Sequence, residues 1–231
     1  MNTTPKITRP LREALATIPT TLFDLPSPPM PGEQKTMLPL IAFRKKYKRG
    51  AAEALRDGDF EGVLMLEDGP TKLKAFKKIE ARLSDDEYWQ YLRDAWSCSM
   101  VTMIDRHKWL CLFNSKRPGR EMLMTPEENQ KLASMPDEVN IWRGCGHHFA
   151  ARGMSWTAEE WLATHLAKMA CYTQRSFRKK SLAEFPIIVA GTVQKNNIIA
   201  YFNDSYKREI VVDPKDVKLH YAEKVKIAPL N

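Results

Sequence analysis

The 231-residue sequence lacks the marks of the commonest nucleotide-handling folds. It has no G-x-x-x-x-G-K-[ST] and no G-x-G-x-x-G between a strand and a helix, which excludes the usual glycine-rich phosphate loops. No apolar run approaches the roughly 18 residues that a spanning helix needs, so no membrane span is expected. Met1 to Met30 shows no apolar core between a basic stretch and a small-residue cleavage site, so no secretory signal is expected either. Cysteine is scarce and unpaired in spacing. Cys98, Cys111, Cys145 and Cys171 form no C-x-x-C, and reduced thiols in a cytoplasm, the producer's or a host's, are the simpler reading.

What is present suits a folded protein. Apolar residues make up 43% and charged residues 28%, enough to bury a core in one large domain or a compact domain with an N-terminal extension. The net charge is +8. It is spread out, with 22 basic against 18 acidic residues up to Met135 and 14 against 10 after it. Such a field favours an acidic partner, nucleic acid among them, and is equally what a soluble basic protein shows.

Residues 1–36 are rich in Pro and Thr and read as a mobile leader or extended strap. Residues 37–135 read as mainly helical. Leu40, Phe43, Tyr47 and Ala51 share one helix face, and Leu73, Phe76 and Ile79 point inward from a helix over Thr71–Leu83. Ser84 to Glu87 is an S-x-x-E capping box, opening a helix with Trp89, Leu92 and Trp96. Met100–Leu112 is apolar and ambiguous. Thr125-Pro126-Glu127-Glu128 starts a short helix that stops before Pro136.

From residue 136 to 231 the texture is different. Val139–Arg143 alternates like a strand, and Thr157–Ala170 forms an amphipathic helix with Trp161, Leu162, His165 and Met169 near one side. Strand-like runs follow at Phe185–Val193, Ile198–Phe202, Ile210–Val212 and Val217–Val225. Strand, helix, then several strands in sequence predicts an α+β fold with a mixed, largely antiparallel sheet.

Three motifs in this second half could carry chemistry. In Trp142-Arg143-Gly144, a strand-end arginine can fork onto phosphate oxygens, and the glycine lets backbone groups approach a ligand. In Gly153-Met154-Ser155-Trp156-Thr157, a capping box of Thr157 with Glu160 accounts for Thr157 but not for Ser155 or Trp156. In Arg208-Glu209-Ile210-Val211-Val212, a carboxylate opens an apolar strand after a polar loop. The Cys145-x-His147-His148 cluster predicts no metal site, because adjacent side chains on an extended segment point apart and no second cluster follows.

Together, in order and placement, these motifs over residues 137–220 resemble the ADP-ribosyltransferase superfamily in its toxin-like branch. That branch carries an arginine on its first core strand, a Ser-x-Thr on the next and a catalytic glutamate on a later one. The resemblance implies a split sheet of that type and NAD as substrate. It makes Glu209 the catalytic carboxylate and Arg143, Gly144, Ser155 and Thr157 the NAD-binding residues. Trp156, or one of Tyr201, Phe202 and Tyr206, would stack on nicotinamide. The chemistry agrees with these residue types, since a positioned carboxylate stabilises an oxocarbenium-like ribose as nicotinamide leaves. Small transferases of this kind resemble bacterial effectors, conflict-system toxins or phage proteins, whose partner is a macromolecular acceptor.

One departure bears on the acceptor. Arginine-directed members carry an acid two positions before the catalytic glutamate, and here that place is Lys207. The resemblance therefore implies a target other than arginine, with Tyr206 and Lys207 in the recognition loop. An NAD glycohydrolase is the near neighbour, and a non-catalytic basic module binding nucleic acid or protein is the alternative from another class.

Overall fold

A computed structural model of the chain describes residues 37–99, 105–146, 150–177, 186–204 and 207–224. The 1–36 leader, His147, His148 and Tyr206 lie outside the described residues. The chain divides into two compact units, one of residues 1–83 with 94–100, the other of 84–93 with 101–231.

The first unit contains α1 (Met37–Asp57), α2 (Phe60–Met65) and α3 (Lys72–Ile79). The helix expected over Thr71–Leu83 is one α-helical stretch between 3-10 turns at Gly69–Thr71 and Glu80–Arg82. Its Leu73, Phe76 and Ile79 are buried, as their spacing requires. Gly58 follows α1 at φ 75°, a left-handed conformation that a side chain would strain. Asp59 then caps α2 by accepting from the Gly62 amide at 2.9 Å. On α1, Ala51 and Tyr47 pack against Leu66.

The helix α4 (Asp85–Ser97) contributes its first nine residues to the second unit. Its capping box forms as the sequence predicts. Glu87 accepts from the Ser84 amide at 2.9 Å and from its hydroxyl at 2.7 Å, and these bonds hold the Glu87 carboxyl below its ordinary value. Trp89 and Leu92 are fully buried, and the Trp89 indole donates to Pro118 O at 2.7 Å. The ambiguous stretch before Leu112 resolves, within the described residues, as α5 (Arg106–Phe113). Next comes α6 (Pro126–Ala133), with its Thr125–Glu128 capping box complete.

Glu128 does more than cap. Its carboxylate is buried and accepts from the Thr125 amide at 2.8 Å, from the Asn203 amide at 2.7 Å and from two nitrogens of Arg93, one of them at 2.9 Å. Arg93 also donates to Asp204 at 3.0 Å and lies 5.2 Å above the Phe202 ring. Burial alone would raise the Glu128 carboxyl. The bonds from Arg93, Asn203 and Thr125, with the Arg93 charge, hold it below the ordinary value instead.

The sheet consists of β1 (Glu138–Cys145), β2 (Ser155–Thr157), β3 (Ile187–Gln194), β4 (Ile198–Asp204), β5 (Lys207–Val212) and β6 (Lys218–Lys224). They lie in the order β4-β5-β2-β1-β3-β6, and every pairing among the described residues is antiparallel, where the sequence predicts a mixed, largely antiparallel sheet. The α+β class stands, with helices first and a six-stranded antiparallel sheet after them. One sheet face buries Val139, Ile141, Cys145, Trp156, Val189, Tyr201 and Ile210. The other meets α7 (Glu160–Phe177), the helix between β2 and β3.

Two features of α7 differ from expectation. It begins at Glu160, so Thr157 is a strand residue and the Thr157–Glu160 capping box does not form. The Thr157 hydroxyl oxygen instead accepts from the Glu159 amide at 3.2 Å. The buried stripe is Leu162, Ala163 and Ala167, while Trp161 and Met169 are 64% and 48% exposed. Small residues face inward because the helix backbone runs against Gly144, where a Cβ would fall 1.9 Å from Ala163 O.

The Glu128 cluster yields a stability test. Glu128→Gln removes the buried carboxylate of the two that Arg93 pairs with, leaving only the more exposed Asp204, and should destabilise the protein by about 3 kcal/mol near neutral pH, measured by urea unfolding. Because the folded carboxyl is depressed, its contribution is full above the ordinary carboxylate range and is lost as pH falls through the folded value. The gap between wild type and variant should therefore close on acidification. A gap unchanged down to about pH 3 would assign the loss to something other than this charge.

Candidate active site

The strand order decides which motifs meet. Ser155–Thr157 forms the short strand β2 between β1, which carries Arg143, and β5, which carries Glu209. Trp142 pairs with Thr157, Thr157 with Glu209, and Glu209 with Phe202, a row across four strands. Directly paired residues share a sheet face, so Glu209 and Thr157 point to the side that meets α7. Ser155, two residues from Thr157, points there as well. Glu209 is 8% exposed and Thr157 3%, so the carboxylate is desolvated rather than at a surface strand mouth. Ser155 is partly exposed, and its hydroxyl makes no hydrogen bond among the described residues.

Arg143 reaches the site differently. Strand alternation places its Cα with Trp156 and Ile210, on the face opposite Glu209. The described residues between β1 and β2 that meet the guanidinium include Ala150 and Gly153. Nε donates to Ala150 O at 2.8 Å and a terminal nitrogen to Ser155 O at 2.6 Å. Gly153 lies flat against it, since a Cβ there would come within 2.4 Å of the guanidinium carbon. Among the described residues no carboxylate forms an ion pair with Arg143. Burial pulls its pKa down, opposed by the Cys145 thiol and the Glu209 carboxylate. A guanidinium stays charged under such pressure. The result is a desolvated cation held by neutral carbonyls, with N–H donors to spare.

The remaining expected site residues fare unequally. Gly144 is where α7 crosses β1, and the close approach of the helix backbone gives this glycine a packing reason. Trp156 is 3% exposed in the apolar cluster and donates its indole N–H to Gly153 O at 2.8 Å, so it is a core residue facing away from Glu209. Tyr201 and Phe202 are likewise buried, Phe202 beneath Arg93. Lys207 opens β5 opposite Asp204, and Tyr206 lies outside the described residues, as do His147 and His148. Cys98, Cys111 and Cys145 form no disulfide. No group of three or more His, Cys, Asp or Glu that could hold a metal occurs among the described residues.

Two contributors escaped the sequence reading. Gly153 seats the arginine, and its only sequence signal is a glycine just before the Ser155 motif. Glu159 pairs with Arg208, the neighbour of Glu209. That pair joins residues 49 apart, which no local pattern reveals.

No family model matches the chain, and no curated protein or solved structure matches it. No helix among the described residues is long and apolar enough to cross a membrane.

The two glycines separate by substitution. Gly144→Ala drives a Cβ into helix backbone, which cannot yield locally, and should cost about 1–3 kcal/mol of stability in urea unfolding. Gly153→Ala meets only the end of a flexible arginine, so its stability should lie within about 1 kcal/mol of wild type while the guanidinium is displaced. Equal losses for the two would overturn this account of the β1–β2 connection.

Proposed function

We propose that the chain is a mono-ADP-ribosyltransferase that cleaves NAD at Glu209 and passes ADP-ribose to a macromolecular acceptor other than an arginine side chain. The observation that carries this reading is the placement of β2. It sets the Ser155–Thr157 strand directly against Glu209 on one side and against the Arg143 strand on the other.

The roles follow from chemistry. A desolvated carboxylate stabilises positive charge far better than one in water, and an oxocarbenium-like ribose is such a charge. Glu209 is a buried carboxylate with two small hydroxyl residues on the adjacent strand, Ser155 partly exposed. Pyridinium departure gives neutral nicotinamide, so no strong acid is needed at the leaving group. Arg143 has a guanidinium without a carboxylate partner among the described residues, suited to forked contact with pyrophosphate oxygens. Nicotinamide stacking falls to an aromatic outside the described set, such as Tyr206, because Trp156, Tyr201 and Phe202 are packed in the core. Lys207, where an acid would serve a guanidinium acceptor, weighs against arginine as target.

Nicotinamide release from NAD tests the reading. Glu209→Gln keeps the shape of the buried side chain and should lower turnover about 10²–10³-fold, with the fold intact by circular dichroism. Arg143→Lys and Gly153→Ala should act mainly on NAD affinity, raising KM about ten- to a hundredfold, the worth of one charge-assisted bond. Label passing from NAD to protein or nucleic acid in a lysate marks a transferase, and release without uptake marks a glycohydrolase. NAD left intact by wild-type protein, with lysate present, would replace both with a binding module.

A further inference from the structure

The helix α1 carries a run of charge that NAD cleavage does not use. Five of the six residues from Arg44 to Arg49 are basic, and no acid precedes Glu53 in the helix. The sixth residue, Tyr47, fixes how the run is oriented. Tyr47 and Ala51 pack against Leu66, a Cβ on Gly50 would lie 3.2 Å from Leu66 Cδ1, and Ala54 is buried. These positions, spaced i, i+3, i+4 and i+7, make up the inner face of the helix. Lys46, Lys48 and Arg49 fall outside that face and are exposed.

Nearby carboxylates leave most of this charge uncompensated. Arg49 pairs with Glu53 at 3.3 Å, and among the described residues Lys46 and Lys48 form no ion pair. Two lysines of α3, in the same unit, are matched instead, Lys77 to Glu80 at 2.9 Å and Lys78 to Glu67 at 3.5 Å. Like charges gathered on an exposed face repel one another, and a dense row of anions relieves that repulsion. The run from Arg44 to Arg49 covers about 7.5 Å of helix axis. Over that length a nucleic-acid duplex presents about four phosphates, so the charge densities of the two sides agree. A bilayer fits less well. A helix that reads lipid headgroups also lays an apolar face into the membrane, and the inner face of α1 is already packed on Leu66.

We propose that the outer face of α1 docks the phosphate backbone of a nucleic-acid duplex without reading its sequence. Charge and exposure carry this, independently of the NAD-cleaving reading. Lys46, Lys48 and Arg49 contact phosphates and release the counterions condensed on them. Such contacts set affinity and position, while sequence is read only by groups that reach base edges.

The test uses the full chain and a fluorescent DNA duplex of about 20 base pairs and arbitrary sequence, followed by anisotropy. Wild type should bind with log K falling against log salt at a slope of about −3 to −4, a loss on the order of 100-fold between about 50 and 200 mM. Lys46→Gln combined with Lys48→Gln should flatten that slope by about 2 and weaken binding about tenfold or more at low salt, with circular dichroism unchanged. Lys77→Gln combined with Lys78→Gln removes the same charge from α3 and should leave affinity within about threefold of wild type. Equal losses in the two double variants would assign binding to net charge and overturn the α1 site. Absence of duplex binding at about 50 mM salt overturns the proposal outright. Tighter binding to phosphatidylserine vesicles, or to polyglutamate, than to the duplex overturns it in favour of a lipid surface or an acidic protein.

Discussion

Three residues hold the sheet together. Strands β4 and β5 on one side and β1, β3 and β6 on the other are joined through Ser155–Thr157 alone in the strand order. The alternation of side chains makes this join unforgiving. A slip of one residue in the β2–β5 register would turn Glu209 to the opposite face and bring Arg208 into the buried row beside Thr157. Both faces of the sheet here are covered, by α7 and by the apolar cluster, so the slipped register would bury an arginine and lose apolar contact at once.

Around that join the chain places its charges inside, each under a different arrangement. Glu128 is matched to a cation and to backbone amides, and it ties α6 and the end of β4 to Arg93. Such an arrangement is structural: every lone pair is occupied. Among the described residues, Arg143 is bound by carbonyls and Glu159 through one carboxylate oxygen, which leaves hydrogen-bonding capacity that these residues do not take up. The contrast between saturated and unsaturated buried charge is what separates scaffold from candidate site in this unit.

The glycines express the same division. Gly144 and Gly153 look alike in sequence, each beside a residue of interest. One admits a helix backbone, and the other makes room for a side chain that a ligand could engage. Only the identity of the neighbouring atom distinguishes them.

Local chemistry was legible in the sequence wherever one segment satisfies itself. The Ser84–Glu87 and Thr125–Glu128 boxes form, and Phe76 and Ile79 are buried by helical period. The α+β order and the strands at Ile198 and Ile210 follow from patterning that each segment carries alone. Where two segments compete for a residue, the sequence could not choose. Thr157 has the makings of a helix cap, but Glu209 and Trp142 claim it as a strand residue from 52 and 15 positions away. Trp161 and Met169 suit a buried stripe, yet the approach of α7 to Gly144 turns alanines inward instead. The sequence alone specified most of the elements and the residue types that each of them carries. Tertiary structure decided which of them meet, because pairing and close packing act between residues far apart in the chain, and no local pattern encodes the partner.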